Sequence, residues 1–247
     1  MDKSNDTVTS TENVVKNVLP ITDNNTGKVL IQTVSTSKTY LYTSYIISSS
    51  KGQNVVVDPT EMPQKSIVDI KPVAICSTHA HPDHTDIDYL KTYQVPKILY
   101  EKGKIYTRDF RIYSIPSSHS DDNVTEDSGN VIIVFEVDGL RIAHMGDIGQ
   151  NSLTREQVLQ LGNIDIAFMQ FENSYSDMTL ENEKGFRIIE QLNPRIIIPT
   201  HYFDSTIPVL EIKYGQIKEY NNYLSISKEE LPSTKLNVFR VLNNHIY

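Results

Sequence analysis

Apolar residues along the chain come in short, often β-branched runs separated by clusters of Asp, Asn, Gly, Pro and Ser, a spacing that predicts strands and turns more than long helices. Lys28 to Ser35 and Thr39 to Ile47 read as two strands joined by a polar turn, and Asn54 to Asp58 as a third that ends in Asp-Pro. Pro72 to Ser77 has the length and β-branched content of a buried strand, and Phe110 to Ile115 alternates like another. Val131 to Val137 and Leu140 to His144 flank Asp138-Gly139, a pair suited to a two-residue hairpin turn because both central positions need positive φ. Helical signals come later. Thr154-Arg155-Glu156-Gln157 has the form of a capping box and predicts a helix carrying Val158, Leu159 and Leu161. Ile164 to Met169 reads as a strand, Glu181 to Leu192 as an amphipathic helix stopped by Asn193-Pro194, and Arg195 to Pro199 as a short apolar strand. Strand-rich stretches interleaved with helices imply an α/β domain whose helices cover sheet faces.

Length and composition narrow this picture. A chain of 247 residues favours one large domain, expected over residues 28–247, with the polar segment 1–27 as a flexible tail. Its 38% apolar and 22% charged residues are ordinary for a globular protein, and no apolar stretch is long enough to cross a bilayer. The net charge of −8 disfavours a general grip on nucleic acid, which draws its affinity from Lys and Arg, so the expected partner is a small molecule. Cys76 is the single cysteine, falls inside an apolar run, and reads as a small core residue. The lack of disulfides suits a reducing compartment, and a cytoplasmic location is expected, an exported protein with its signal removed being the alternative.

The candidate chemistry is concentrated in Thr78-His79-Ala80-His81-Pro82-Asp83-His84, which follows the Pro72 to Ser77 strand directly. Imidazole and carboxylate are zinc's preferred non-thiolate donors, and such a density of them at a strand's end reads as half of a two-metal site. His79 and His81 are two apart and point the same way in extended backbone, whereas Pro82 turns the chain before Asp83 and His84. Three further polar residues stand just after strands: His119, Asp147 and His201. His144 lies three residues before Asp147 and reads as packing or as a support for a ligand; His245 has no strand-end context and is assigned no role.

In this order the residues resemble the metallo-β-lactamase superfamily of metal-dependent hydrolases, over nearly all of the chain from about Lys28. The resemblance implies a four-layer αββα sandwich with the site along one edge of its sheets. It also implies that His79, His81 and His119 hold one metal, that Asp83, His84 and His201 hold the other, and that Asp147 bridges them. Asp58 would brace a ligand loop without binding an ion. Such a pair of ions holds a shared hydroxide at neutral pH, and Asp83 is the candidate for orienting that water and moving its proton. Zinc is expected, although manganese, iron and nickel accept the same donors.

Departures within the superfamily narrow the chemistry. Asp147 replaces the residue usual in true metallo-β-lactamases, and Thr85-Asp86-Ile87 does not continue the histidine motif as glyoxalase-like branches do. Asp83-His84-Thr85-Asp86, His144-Met145-Gly146-Asp147 and Pro199-Thr200-His201-Tyr202 are similar to the ascorbate-6-phosphate-lactonase-like branch. The loop Gln170-Phe171-Glu172-Asn173-Ser174-Tyr175 differs from that branch and is expected to rim a remodelled pocket, with Phe171, Tyr175 and Tyr202 touching substrate. A binuclear hydrolase of a small ester, lactone or amide leads; phosphodiester hydrolysis is the alternative reaction, and a non-catalytic metal sensor the alternative of another class.

Overall fold

The computed structural model of the chain describes residues 19–40 and 42–242. In chain order the elements are β1 (Val29–Thr33), β2 (Tyr45–Ser48), β3 (Asn54–Val57), β4 (Pro72–Ser77), α1 (Ile87–Thr92), β5 (Lys97–Leu99), β6 (Lys104–Tyr106), β7 (Phe110–Ser118), β8 (Gly129–Val137) and β9 (Leu140–His144). There follow α2 (Arg155–Leu161), β10 (Ile166–Gln170), α3 (Lys184–Leu192), β11 (Ile196–Thr200), α4 (Thr206–Tyr214), β12 (Lys218–Tyr220), β13 (Leu224–Ile226) and β14 (Asn237–Val241). Hydrogen bonding sorts the strands into two mixed sheets, ordered β13-β1-β2-β3-β4-β5 and β12-β14-β11-β10-β9-β8-β7-β6.

Side-chain alternation along the strands explains why these sheets stack and why helices cover them. Val55 and Val57 face Ile133, Phe135 and Phe168 of the other sheet, forming the inner core, while Val56 between them turns outwards with Ile46 and Ile75 onto Tyr89, Leu90 and Tyr93 of the α1 region. On the second sheet Ile132 and Val134 turn away from the inner core and pack with Ala167 and Ile197 against Phe186, Ile188 and Ile189 of α3. The result is the expected αββα sandwich. Strands buried on both faces read as continuous apolar runs, as Pro72 to Ser77 does. No helix of the described residues is long and apolar enough to cross a membrane.

Several local predictions hold in detail. Asp138 and Gly139 both adopt positive φ, 47° and 77°, in the β8–β9 turn. Thr154 and Gln157 form the reciprocal capping box that opens α2. Cys76 is buried in the inner core, and burial pushes its thiol well up. The expected strand from Thr39 to Ile47 forms only from Tyr45, because the chain bends over residues 38–40 and Tyr42 takes a φ of 60°, outside the β region. Of the segment expected as a tail, residues 1–18 lie outside the described residues, as does His245. Residues 19–27 run along the first sheet, where the buried Asn24 amide donates to the carbonyls of Lys28 and Ser49.

Candidate metal centre

β7, β9, β10 and β11 run in one direction in the second sheet, and β3 and β4 run parallel to each other in the first, so strand C-termini from both sheets can meet along one edge. The loop after β4 is tied across that edge, since the Thr78 carbonyl accepts from the Val131 amide of β8 at 2.9 Å. Each sequence-predicted donor emerges here. His79, His81, Asp83 and His84 follow β4, His119 follows β7, Asp147 follows β9, and His201 follows β11. One ring nitrogen from each of His79, His81 and His119 forms a first group; one atom each from Asp83, His84, Asp147 and His201 forms a second; within each group the atoms lie within 4.8 Å of one another.

Asp147 stands between the groups with one oxygen towards each. Its Oδ1 is 3.2 Å from the Nε2 atoms of both His84 and His201, and its Oδ2 is 3.5 Å from His79 Nε2 and 3.8 Å from His119 Nε2. His79 Nε2, His119 Nε2 and Asp147 Oδ1 are buried with no hydrogen-bond partner. Buried polar atoms without partners are costly, and here they converge on the same space, which is the arrangement a bound cation would satisfy. His84 and His201 bring their Nε2 atoms to 2.8 Å, a spacing that two lone pairs tolerate only with a proton or an ion between them.

Behind these donors lies a braced layer. Asp58 leaves β3 with a φ of 49° and sits under the β4 loop, where it accepts the Thr78 amide at 2.7 Å, the Thr78 hydroxyl at 2.8 Å and the His84 Nδ1–H at 2.7 Å. That last bond fixes the His84 tautomer and aims Nε2 at the second group. His144 belongs to this layer as well: its ring stacks on Phe168 at 5.0 Å, its Nδ1 accepts the Gly146 amide at 3.2 Å, and it lies outside both donor groups. Gly146, at a φ of 58°, allows the tight turn before Asp147, for a Cβ there would meet Asn130 Oδ1 at 2.4 Å and Thr78 Cβ at 2.6 Å.

Electrostatics separate the two groups. Burial and the neighbouring His84 push the His79 imidazole down to about 2, leaving it neutral. For His84 burial acts in the same direction, yet Asp147 and Asp58 outweigh it and raise the ring well above the usual histidine range. Burial would raise Asp147, but His201 and His84 hold it well below the carboxylate range. Asp58 is likewise lowered against its burial by His84 and His144.

Two side chains without a sequence signal complete the site. Asn173 donates from Nδ2 to Asp147 Oδ2 at 2.6 Å and to Gln170 Oε1 at 3.0 Å, and Asn130 accepts the Asp147 amide at 3.0 Å. The expected rim residues divide. Phe171 is a correction: it is 1% exposed and packs on Phe186 at 5.3 Å, because Gln170 and Phe171 still belong to the buried end of β10 and its turn. Tyr175, at 86% exposed, and Tyr202 do line a cleft of about 450 Å³ beside Asp83 and His201. Tyr202 is held there by stacking on Tyr42 at 4.6 Å and by a hydrogen bond from Arg240 Nε to its hydroxyl at 3.1 Å.

Against known proteins, the family model for the beta-lactamase superfamily domain matches residues 38–201, a span that includes every donor named above and Asp58. The chain belongs to that superfamily. It is 26% identical over 211 residues to a UPF0173 metal-dependent hydrolase from Staphylococcus carnosus, covering 72% of this chain and 90% of the relative. It is 28% identical over 195 residues to another of the same description from Enterococcus faecalis, covering 67% of this chain and 84% of the relative. Among solved structures, Igni18, a metallo hydrolase from Ignicoccus hospitalis, superposes with a TM-score of 0.57 at 15% identity over 88% of this chain and 96% of its own. An isothiocyanate hydrolase from Delia radicum gut bacteria gives 0.52 at 13% identity, over 75% and 93%. These structural likenesses establish the fold.

Proposed function

We propose that this metal-dependent hydrolase of the beta-lactamase superfamily holds two divalent ions, most readily zinc, and cleaves a small ester, lactone or amide. The observation that carries the reading is the placement of Asp147, whose two oxygens each face one donor group. His79, His81 and His119 would hold one ion, Asp83, His84 and His201 the other, and Asp147 both. Bound there, such ions supply water that is acidic enough to attack at neutral pH and an electrophile for the scissile oxygen.

The chain's own residues supply order around that chemistry. Asp58 holds the His84 ring in one tautomer, and Asn173 holds Asp147 Oδ2 in one orientation. Asp83 has an 18% exposed side chain, and its Oδ2 lies 3.6 Å from His84 Nε2 on the wall of the cleft. A carboxylate at the boundary between the donors and a substrate space would take a proton from the attacking water and return it to the leaving group. Every expected donor is present in the two groups, which speaks against a sensor that has lost catalytic parts.

Metal analysis of protein purified without added metal should find close to two equivalents, and fewer than one would sink the site as drawn. Turnover of a generic lactone should exceed that of a bis-aryl phosphate; the reverse would move the reading to phosphodiester hydrolysis. His81→Ala should abolish either activity, and undiminished turnover in that variant would remove the ions from the chemistry.

A further inference from the structure

The cleft beside the donor groups is walled by aromatic rings, namely Tyr40, Tyr175, Tyr202 and Phe203, with Met178 among them. Phe203 is 65% exposed and Tyr175 86% exposed, an expensive presentation of large apolar surface unless something covers it. The charged side chains on the same walls, apart from Asp83 and His201, are Glu172 and Glu181. No lysine or arginine is among the described residues that line it. Arg240, behind Tyr202, is engaged by Glu219 and by the Tyr202 hydroxyl.

From this lining we infer that the cleft receives the non-reacting part of the substrate and selects a group that is apolar and either cationic or uncharged, rejecting anionic ones. Tyrosine and phenylalanine faces attract a cation and pack equally well on an uncharged apolar group. Glu172 and Glu181 strengthen the first preference and repel a phosphate or carboxylate, for which the walls offer no basic partner. The inference rests on the hydrolase reading above, since it takes the reacting bond to lie at Asp83 and His201. It places phosphorylated substrates outside this enzyme's range.

The test uses metal-loaded enzyme and three esters of one alcohol whose acyl chains end in trimethylammonium, tert-butyl or carboxylate. The trimethylammonium ester should have the highest kcat/KM, the isosteric tert-butyl ester should follow within about tenfold, and the carboxylate should fall at least about tenfold below that. Glu181→Lys, at an exposed position, should lower the first and raise the last; Tyr175→Ala should lower the first two together. A carboxylate ester turned over as well as the cation would overturn the proposal. Binding of benzyltrimethylammonium, which cannot ligate an ion, is read separately by calorimetry and should weaken at least about tenfold in Glu181→Lys. Failure to bind overturns the cleft assignment even where esters are cleaved. Binding without cleavage of any ester leaves the cleft standing and removes the ester reading instead.

Discussion

His79, His81 and His119 offer three imidazoles, two of which reach the surface, whereas Asp83, His84, Asp147 and His201 combine two carboxylates with two rings, of which His84 is braced from behind. In the first group the Thr78 hydroxyl lies 3.3 Å from His79 Nδ1. In the second, a residue that touches no proposed ion, Asp58, holds His84 by a buried hydrogen bond, while Asn173 holds the Asp147 oxygen that faces the first group. Two neighbouring sites can thus share a carboxylate and still differ in how far the fold prepares them. The braced, more anionic group should keep its ion longer and should respond more to changes outside the donor set.

Asp147→Ala tests what the two groups share, and it should have the largest effect. Loss of a carboxylate that faces both groups would remove a donor from each, so metal content should fall from about two equivalents towards one and kcat/KM by about a thousandfold, equivalent to several kcal/mol of lost transition-state stabilisation. Two equivalents retained in that variant would mean the groups are independent.

Acid titration of chelator-treated protein should separate the groups by sign. His79 has its folded pKa lowered to about 2, so its contribution to stability is complete above the unfolded value near 6.5 and is lost as pH falls. His84 is raised, so its contribution is complete below that unfolded value and is lost as pH rises through its folded one. Between about pH 6.5 and 4.5, His79→Gln should therefore reduce the acid loss of stability by about 2 kcal/mol in urea melts, at one proton per pH unit. An unchanged acid limb would show that His79 is not desolvated as described.

Asp58→Asn keeps the shape of the brace and removes its charge. One of the two ions should be held about 10- to 100-fold more weakly, with the other unaffected, when metal content is followed against graded chelator. Equal weakening of both would erase the contrast between the groups. Asn173→Ala, which deletes the 2.6 Å bond to Asp147 Oδ2, should have the smallest effect, about tenfold on metal affinity with little change in stability, by the same assay and a thermal melt. A larger effect than that of Asp58→Asn would move the main brace from the first sheet to the second.

The legible parts of the chain were those whose signal is local. β4 and β9 form over the residues expected, and the Asp138-Gly139 turn and the Thr154 capping box follow from the backbone needs of single residues. α1 is silent in the sequence because its six residues carry little apolar periodicity, and its start depends on the Asp86 side chain accepting the amides of Asp88 and Tyr89. β12 and β13 are three residues each and are strands only because β14 and β1 lie alongside. Phe171 turns into the core and not towards substrate, because its position one residue past β10 leaves its direction to the turn that follows.

By itself, the amino-acid order determined which residues could bind an ion, since donor chemistry belongs to the side chain and the run from Thr78 to His84 crowds it at a strand's end. It also determined that His119, Asp147 and His201 follow strands of their own. Only the tertiary structure decided that these ends share one edge, that the oxygens of Asp147 divide between two groups, and that Asn173, silent in sequence, donates to one of those oxygens. The reason is physical: a donor's identity is local, but the direction in which its lone pair points is set by strand order, loop turns and buried partners far along the chain.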